Sequence, residues 1–370
     1  MADRVKVGII GVGQIGKQHL EKYRSLPVEV VALADTDEAE GQRVSQQFGI
    51  PRTFTGFRDL LRVEEIEAVD VCVHNNLHAP ITIAALEARK HVFCEKPIAG
   101  SYADGKAMVD AAARTGRKLS IQLGTLFSKE TKAARRLIAE GHLGKLYYAK
   151  AVFQYRRARS YVDGYGSIGY AKRELMGGGA LVNFGVYHVG QVLYLLGNPG
   201  IETVTGTTHL EMPMYRERGG DGSYNLEELA LGFVRLAGGI TLTIEVACAL
   251  HLGGTGRSLR PSCVFGSKGG VCLSPFSYHT TIADMEMDAT FDIDLADWRW
   301  HECFPDVDAY DSPQVHWIAA LQNRVSLVDT AGITLATAKI SDGIYLSHRL
   351  RKELSVSEIE QMSQSNAVEV

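Results

Sequence analysis

Asn183 and Tyr187 stand four residues apart in the stretch GGGALVNFGVYHVG, Gly177 to Gly190, and His188 follows at once. On a regular helix, positions i and i+4 share a face, so an amide and a phenol would point into one cleft. His188 would be turned by about 100° from Tyr187, and only a local bulge would bring it to the same place. A phenol or an imidazole can carry a proton to or from an alcohol, whereas an amide can only hold a hydroxyl through its donor and acceptor. The spacing favours Tyr187 with Asn183, and His188 stays open as the alternative. A third group, Lys96, ends the strand-like run HVFCEKPIA beside Glu95 and Pro97. Proline permits a cis Lys96–Pro97 bond that would fix the direction of the lysine. A free phenol, with its pKa near ~10, is a poor base, but a neighbouring ammonium would favour the phenolate.

A second constellation lies near the N-terminus. GVGQIG places Gly11, Gly13 and Gly16 directly after one strand-like run and at the mouth of a helical pattern. Gly11 suits the tight turn, Gly13 lets a pyrophosphate approach the backbone, and Gly16 allows close packing of helix on strand. The first amides of that helix, at Gln14 and Ile15, would receive the diphosphate. Asp35 ends the next strand-like run, where a carboxylate can bind the ribose hydroxyls of a dinucleotide. It would repel a 2′-phosphate, and Thr36 and Asp37 bring no cation, so NAD is favoured and NADP is less favoured.

Taken together, the glycine loop, VHNNLHAP, EKP, GGGALVNFGVYHV, the GSKGG turn and the late DGIY segment resemble the glucose-fructose oxidoreductase / inositol dehydrogenase / MocA family across nearly the whole chain. The resemblance implies that Lys96 orients the reacting hydroxyl and assists proton movement beside the nicotinamide. It also implies that Glu95, Lys96, Asn75 and His78 line the cofactor near that ring. The chain departs from the family's usual segment, with Asn183 where Asp is common and Tyr187 where His is common, which is similar to a tyrosine-containing branch. His74 stands where proline is usual, leaving the shape of that loop open. The reaction implied is NAD-dependent oxidation, or reduction in reverse, at a hydroxyl or keto group of a sugar, cyclic polyol or glycoside. Two other readings carried by family members are glycoside hydrolysis through transient oxidation and non-catalytic nucleotide sensing. Retention of Lys96 counts against the sensor.

Further substrate contacts are sought in YRRARSYVDGYGSIGYAKR. Arg156, Arg157 and Arg159 would suit a carboxylate or phosphate, and Tyr161 or Tyr165 could stack on a sugar ring. DWRWHECF offers Trp298, Trp300 and His301, with both tryptophans on one side of a strand.

The elements that must position these groups are legible in the hydrophobic pattern. VKVGII, VEVVALAD, AVDVCV, HVFCEK and KLSIQL read as buried strands. They alternate with helical patterns at Gln14 to Ser25, Glu38 to Phe48, APITIAALEA and SYADGKAMVDAAART. Continuous apolar strands separated by helices indicate a parallel sheet covered on both faces. After Gly124 the rhythm changes to one helix, KETKAARRLIAEG, then LYYAKAVFQY, ELALGFVRL and ITLTIEVACAL. In the last, Leu242, Ile244 and Val246 alternate with Thr241, Thr243 and Glu245, the period of a sheet with one covered face. Helices around QVHWIAALQ and GITLATAKISDGIYLSHRL follow, and the polar tail from Ser355 is expected to fray. The fold class expected is α/β: a Rossmann domain over 1–124, then an α/β domain over 125–370 with an open, largely antiparallel sheet. The open face, by resemblance, packs against another copy in a homodimer or homotetramer.

Composition is consistent with that reading. The 370 residues carry a formal charge of −4, with 45% hydrophobic and 22% charged residues, which gives no reason to expect nucleic acid or membrane as partner. No run reaches the ~18 apolar residues of a membrane span, and the N-terminus reads as a strand, so no signal peptide and a cytoplasmic location are expected. Cys72, Cys94, Cys248, Cys263, Cys272 and Cys303 lack C-x-x-C spacing, which predicts reduced, buried thiols and no metal site.

Overall fold

A computed structural model describes residues 4–164, 166–219, 222–253 and 261–370. The first six strands are β1 Val5–Ile10, β2 Val28–Ala34, β3 Thr53–Phe54, β4 Ala68–Val71, β5 His91–Cys94 and β6 Leu119–Ile121. They form one parallel sheet in the order β3-β2-β1-β4-β5-β6. Helices Gln14–Tyr23, Glu38–Phe48, Asn75–Glu87 and Tyr102–Thr115 cover it, as the continuous apolar strands require. The order reverses beside β1, so β1 and β4 diverge into different crossovers and leave a crevice at their carboxyl ends.

The second sheet contains β7 Leu146–Gln154, β8 Ile201–His209, β9 Leu229–Leu236, β10 Ile240–Ala247, β11 Cys263–Gly266, β12 Gly269–Leu273, β13 Phe276–Ile282, β14 Met285–Thr290 and β15 Leu354–Ser355. Its order is β14-β13-β12-β11-β7-β10-β9-β8-β15, antiparallel except where β10 runs parallel to β7. Leu242, Ile244 and Val246 are buried as their alternation predicts. Helices Val186–Leu195 and Thr330–Leu350 pack on that side. The other face bears Tyr148, Lys150, Thr205, Phe233, Thr243 and Glu245 around a shallow concavity of about 560 Å³.

The chain returns to its first half near the end. Trp317 and Ile318, on helix Pro313–Leu321, pack with Val5, Val7, Tyr23 and Phe93. The Thr330 hydroxyl accepts from the Ile121 amide at 2.8 Å, which ties the long helix to the edge strand β6.

Three expectations are corrected. The tail does not fray from Ser355: that residue and Glu358 form a capping box for helix Val356–Met362. Beyond it Ser365 and the Asn366 amide both bond Asp104, at 2.5 and 2.9 Å. The polar letters that suggested disorder are the ones that make these caps. DWRWHECF is helical, within Ile293–Cys303, because Asp292 caps the Leu295 amide. Trp298 and Trp300 therefore diverge; Trp298 is exposed and Trp300 lies under the Arg136 guanidinium. Finally, Cys263 and Cys272 are joined by a disulfide rather than reduced. They face each other across the β11–β12 hairpin, a register pairing that the search for C-x-x-C spacing does not detect. Cys303 is exposed rather than buried.

Candidate active site

The glycine loop leaves β1 at Ile10, and each glycine meets a different demand. Gly11 has φ of +87°, and a Cβ there would lie 2.3 Å from the Cys72 carbonyl oxygen just past the adjoining strand β4. A Cβ at Gly16 would lie 2.1 Å from the Gly11 carbonyl oxygen, so helix and turn could not close together. Around Gly13 there is open space. The helix that begins at Gln14 has neither a side-chain cap nor an acidic residue in its first turn. Its first amides, at exposed Gln14 and half-buried Ile15, are therefore open to an anion. Asp35 accepts from the Val12 amide at 2.8 Å through Oδ2 and from the Asp37 amide at 2.9 Å through Oδ1. Its carboxylate is thus fixed at the mouth of the loop with lone pairs remaining for hydroxyls. Nearby Lys17 and Arg43 both pair with Glu40.

At the far end of the same sheet edge, Lys96 follows Glu95 through a cis Lys96–Pro97 bond. Its ammonium donates to the Asn183 side-chain oxygen at 2.9 Å and to the Asn183 carbonyl at 3.0 Å. It also lies 4.8 Å from the centre of the Tyr187 ring. Burial pushes the Lys96 ammonium below its ordinary range, and the Glu95 carboxylate opposes that push. The structure brings Lys96, Asn183 and Tyr187 together across the two sheets. The Asn183 amide nitrogen in turn donates to Ser160 at 3.4 Å.

The helix carrying these groups is not regular. Leu181–Gly185 forms a π turn that runs into the α-helix Val186–Leu195. The extra residue per turn shifts the phase by which i and i+4 were expected to align. Tyr187 nevertheless stays against Lys96, and His188 packs on the Phe153 ring at 5.2 Å between centroids. Burial among aromatic rings pushes His188 down to about 4, so it is neutral at ordinary pH. The phenol of Tyr187 also differs from expectation. Burial, then the Glu95 charge, push it well above the usual phenol range, and His19 opposes them. Lys96 addresses the face of the ring rather than its hydroxyl, so the ammonium does not produce a phenolate here.

The glycine triplet explains how the segment is docked. A Cβ at Gly177, Gly178 or Gly179 would lie within 2.2 Å of the Gly100 carbonyl, the Tyr345 hydroxyl or the Glu227 carbonyl respectively. Buried Glu227 accepts from the Gly179 and Leu181 amides at 2.8 and 3.0 Å and from the Tyr345 hydroxyl at 2.8 Å. One carboxylate thereby satisfies amides at the start of the segment that carries Asn183.

Most of the other sequence candidates already have partners within the protein. Asn75 donates to the Met176 carbonyl at 2.8 Å, and fully buried His78 lies between the Pro97 and Val73 carbonyls at 2.8 and 3.1 Å. His78 braces the Lys96 loop, and Asn75 the turn that leads into the glycine triplet. His74 packs on Tyr170, its ring centre 5.4 Å away. Arg159, expected to receive a substrate anion, is 1% exposed and paired with Asp163 and Glu228 at 3.0 and 2.7 Å. Two buried carboxylates already satisfy it. Arg157 pairs with Asp163, while Arg156 donates to the Leu252 carbonyl. Tyr161 has φ of +66° and lies under Arg218. Tyr165 lies outside the described residues. His301 pairs with Asp311.

Sequence reasoning missed Ser160, Glu227 and a buried cluster beneath Glu95. In that cluster His19 lies between Asp70 and Glu95, at 2.8 and 3.0 Å. The only signal for it is a histidine three residues after Gly16, one helical turn into the dinucleotide motif. His19, Asp70 and Cys72 are also the group of potential metal ligands that lie close together among the described residues. His19 pairs with Asp70 at 2.8 Å, and the Cys72 thiol donates to Asp70 at 3.4 Å.

The residues present fit a dinucleotide. Gly13 leaves room where a diphosphate would approach, and Asp35 offers the carboxylate. At the sheet edge, buried His74 Nδ1 and Gln122 Oε1 have no protein partner. No helix among the described residues is long and apolar enough to cross a membrane.

Residues 5–123 match an oxidoreductase family described as an NAD-binding Rossmann fold, and residues 131–272 match the GFO/IDH/MocA C-terminal domain. The chain is 28% identical over 285 residues to D-glucoside 3-dehydrogenase of Escherichia coli K12, covering 75% of this chain and 79% of that protein. It is 32% identical over 146 residues to inositol 2-dehydrogenase of Salmonella typhimurium, covering 38% of this chain and under half, 43%, of that one. The crystal structure of an oxidoreductase domain protein from Kribbella flavida superimposes with a TM-score of 0.80 at 22% identity, covering 96% of this chain and 99% of that one. Levoglucosan dehydrogenase in complex with NADH and levoglucosan gives 0.78 at 19% identity, covering 96% and 100%. The glycoside-cleaving and sensing readings gain no support from relatives named as dehydrogenases.

Proposed function

Because this chain belongs to the GFO/IDH/MocA family of oxidoreductases, we propose that the Lys96–Asn183–Tyr187 cleft is the catalytic centre of an NAD-dependent dehydrogenase. Its substrate is a sugar, cyclic polyol or glycoside, converted between hydroxyl and keto forms. The observation that carries this reading is the ammonium of Lys96, held by Asn183 against Tyr187 at the sheet edge that also bears the glycine loop. NAD, when bound, supplies the acceptor for the hydride leaving the substrate carbon.

The chain's own part concerns the hydroxyl proton. Lys96, which burial drives toward its neutral form, takes that proton, and Tyr187, held as the phenol, donates a hydrogen bond to the same oxygen. Asn183 fixes the lysine and presents its amide to a neighbouring hydroxyl. Gly11, Gly13, Gln14, Ile15 and Gly16 hold the diphosphate, and Asp35 holds the adenine ribose. Arg156 and Tyr161 border the substrate opening, while His188 stays packed on Phe153. We set the boundary between the halves after Gly124. The open face of the second sheet packs against another copy, with Phe233, 37% exposed, near the centre of the contact.

The test is NADH absorbance from NAD with a panel of monosaccharides, inositols and glycosides. At least one is turned over, and Lys96→Ala lowers kcat by about a thousandfold or more while NAD still binds. Equal turnover by Lys96→Ala would refute the assignment. For the assembly, Phe233→Lys is expected to lower the mass read by light scattering.

A further inference from the structure

Beneath the Glu95–Lys96 corner, four charged groups of alternating sign are packed in a row. His19 is 3% exposed and Asp70 is fully buried. Asp70 Oδ2 lies 2.8 Å from His19 Nδ1 and accepts from the Tyr23 hydroxyl at 2.8 Å, while Asp70 Oδ1 accepts from the Cys72 thiol at 3.4 Å. His19 Nε2 lies 3.0 Å from Glu95 Oε1, and Glu95 Oε2 accepts from the Lys96 amide at 3.0 Å. Each ring nitrogen faces a carboxylate oxygen. With both carboxylates ionised, each imidazole nitrogen must carry hydrogen, which makes the ring an imidazolium. A neutral ring would leave one buried carboxylate oxygen facing a lone pair.

We propose that His19 is a positioning residue for the hydroxyl chemistry, an imidazolium wedged between Asp70 and Glu95 that fixes the Glu95 carboxylate under Lys96 and balances its charge. The inference rests on the dehydrogenase reading given above and names a control that this reading does not contain. Glu95 is the group that Lys96 and Tyr187 both feel: its charge holds the proton on the ammonium and on the phenol alike. Left unbalanced, it would keep Lys96 cationic at the pH where the lysine must accept a proton. The charge of His19 offsets it from behind, at a distance from substrate. The titratable groups within reach of His19 are Asp70 and Cys72 from β4 and its end, Glu95 from the end of β5 and, more distantly, the Tyr187 phenol; Tyr23 on its own helix bonds Asp70, and the Phe93 ring lies 5.8 Å away. Burial opposes the imidazolium, but Asp70 and its hydrogen bond hold the ring well above the ordinary histidine range.

Three measurements on the full chain test this. In imidazole ¹⁵N spectra, both His19 nitrogens stay protonated from pH 6 to pH 9; a neutral ring at pH 7 overturns the proposal whether or not any variant folds. In ¹³C-lysine spectra, His19→Gln moves the Lys96 titration to higher pH, and adding Glu95→Gln brings it back down. A role in packing alone would make the double variant worse than the single one, so an unmoved or unreversed titration also overturns it. With the fastest substrate of the panel, His19→Gln lowers kcat about tenfold at pH 7.5 and recovers at high pH, with the KM for NAD within about twofold. If no substrate is turned over by the unaltered protein, the dehydrogenase reading fails, and the two spectra still decide the charge of His19 and its effect on Lys96.

Discussion

At the glycine loop the groups that would face a ligand are backbone amides, and their direction is set largely within the six residues of the loop, with Asp35 holding the Val12 amide. At the Asn183 segment the working groups are side chains, and their direction depends on residues 44 to 162 positions away from Asn183. A side chain at Gly16 would strike the Gly11 carbonyl, so turn and helix close on themselves, while the chain at Cys72 and Val73 is the distant neighbour that limits Gly11. Asn183 and Tyr187 depend on Glu227 at the segment's start, Tyr345 behind it and Lys96 in front. The first region is specified by local geometry, the second by convergence of distant parts. Damage should therefore act differently: binding without loss of fold in the first, and fold together with chemistry in the second.

The sharpest way to break this comparison is at the phenol. Tyr187→Phe keeps the ring under Lys96 and removes only the hydroxyl, so kcat should fall about a hundredfold with little change in melting temperature. A smaller effect is expected at Gly13, where a side chain meets nothing within 4 Å. Gly13→Val should melt as the unaltered chain does yet bind NAD about thirtyfold more weakly in calorimetry, because the branched side chain occupies the diphosphate approach. Loss of stability there would show that the loop is held by more than its own turn. Glu227→Gln sharpens the other side of the contrast. A glutamine has one acceptor oxygen, and its NH₂ would face an amide donor at Gly179 or Leu181. Chemical denaturation should report a loss of about 1–2 kcal/mol, with a several-fold fall in kcat from the same cause.

The same contrast explains what could be read from the chain alone. The parallel sheet, its helices and the glycine loop follow from apolar runs and the i, i+2, i+5 spacing of Gly11, Gly13 and Gly16. Lys96 was legible because a motif placed it at a strand end, and the Asn183–Tyr187 pair because the i, i+4 spacing and the motif agreed. The π turn at Leu181–Gly185 was not legible: it arises where the glycine triplet must fit under Tyr345 and Glu227, a constraint no local pattern contains. Arg159 misled because an arginine-rich loop looks solvated until its buried partners Asp163 and Glu228 are known. The helix at Trp298 and Trp300 and the Cys263–Cys272 pairing were hidden for a similar reason, one resting on the Asp292 cap and the other on strand register.

The smallest effect is expected at His188, and its form decides between the two neighbours in the opening motif. The ring is packed on Phe153, and burial pushes it from the ordinary 6.5 down to about 4, so it is neutral at pH 7.5. His188→Phe should change kcat at pH 7.5 by less than about threefold and leave the pH profile in place. Acid stability should change instead. A histidine whose folded value is depressed favours the folded state above pH 6.5, and that contribution is lost as the pH falls toward 4, because the unfolded chain takes up the proton first. Denaturation curves for the unaltered chain and His188→Phe should run parallel above pH 7 and separate below pH 6, the variant losing less stability in acid. A hundredfold loss of turnover in His188→Phe, with Tyr187→Phe fully active, would instead mean that the π turn rotates the imidazole into the cleft once substrate is bound.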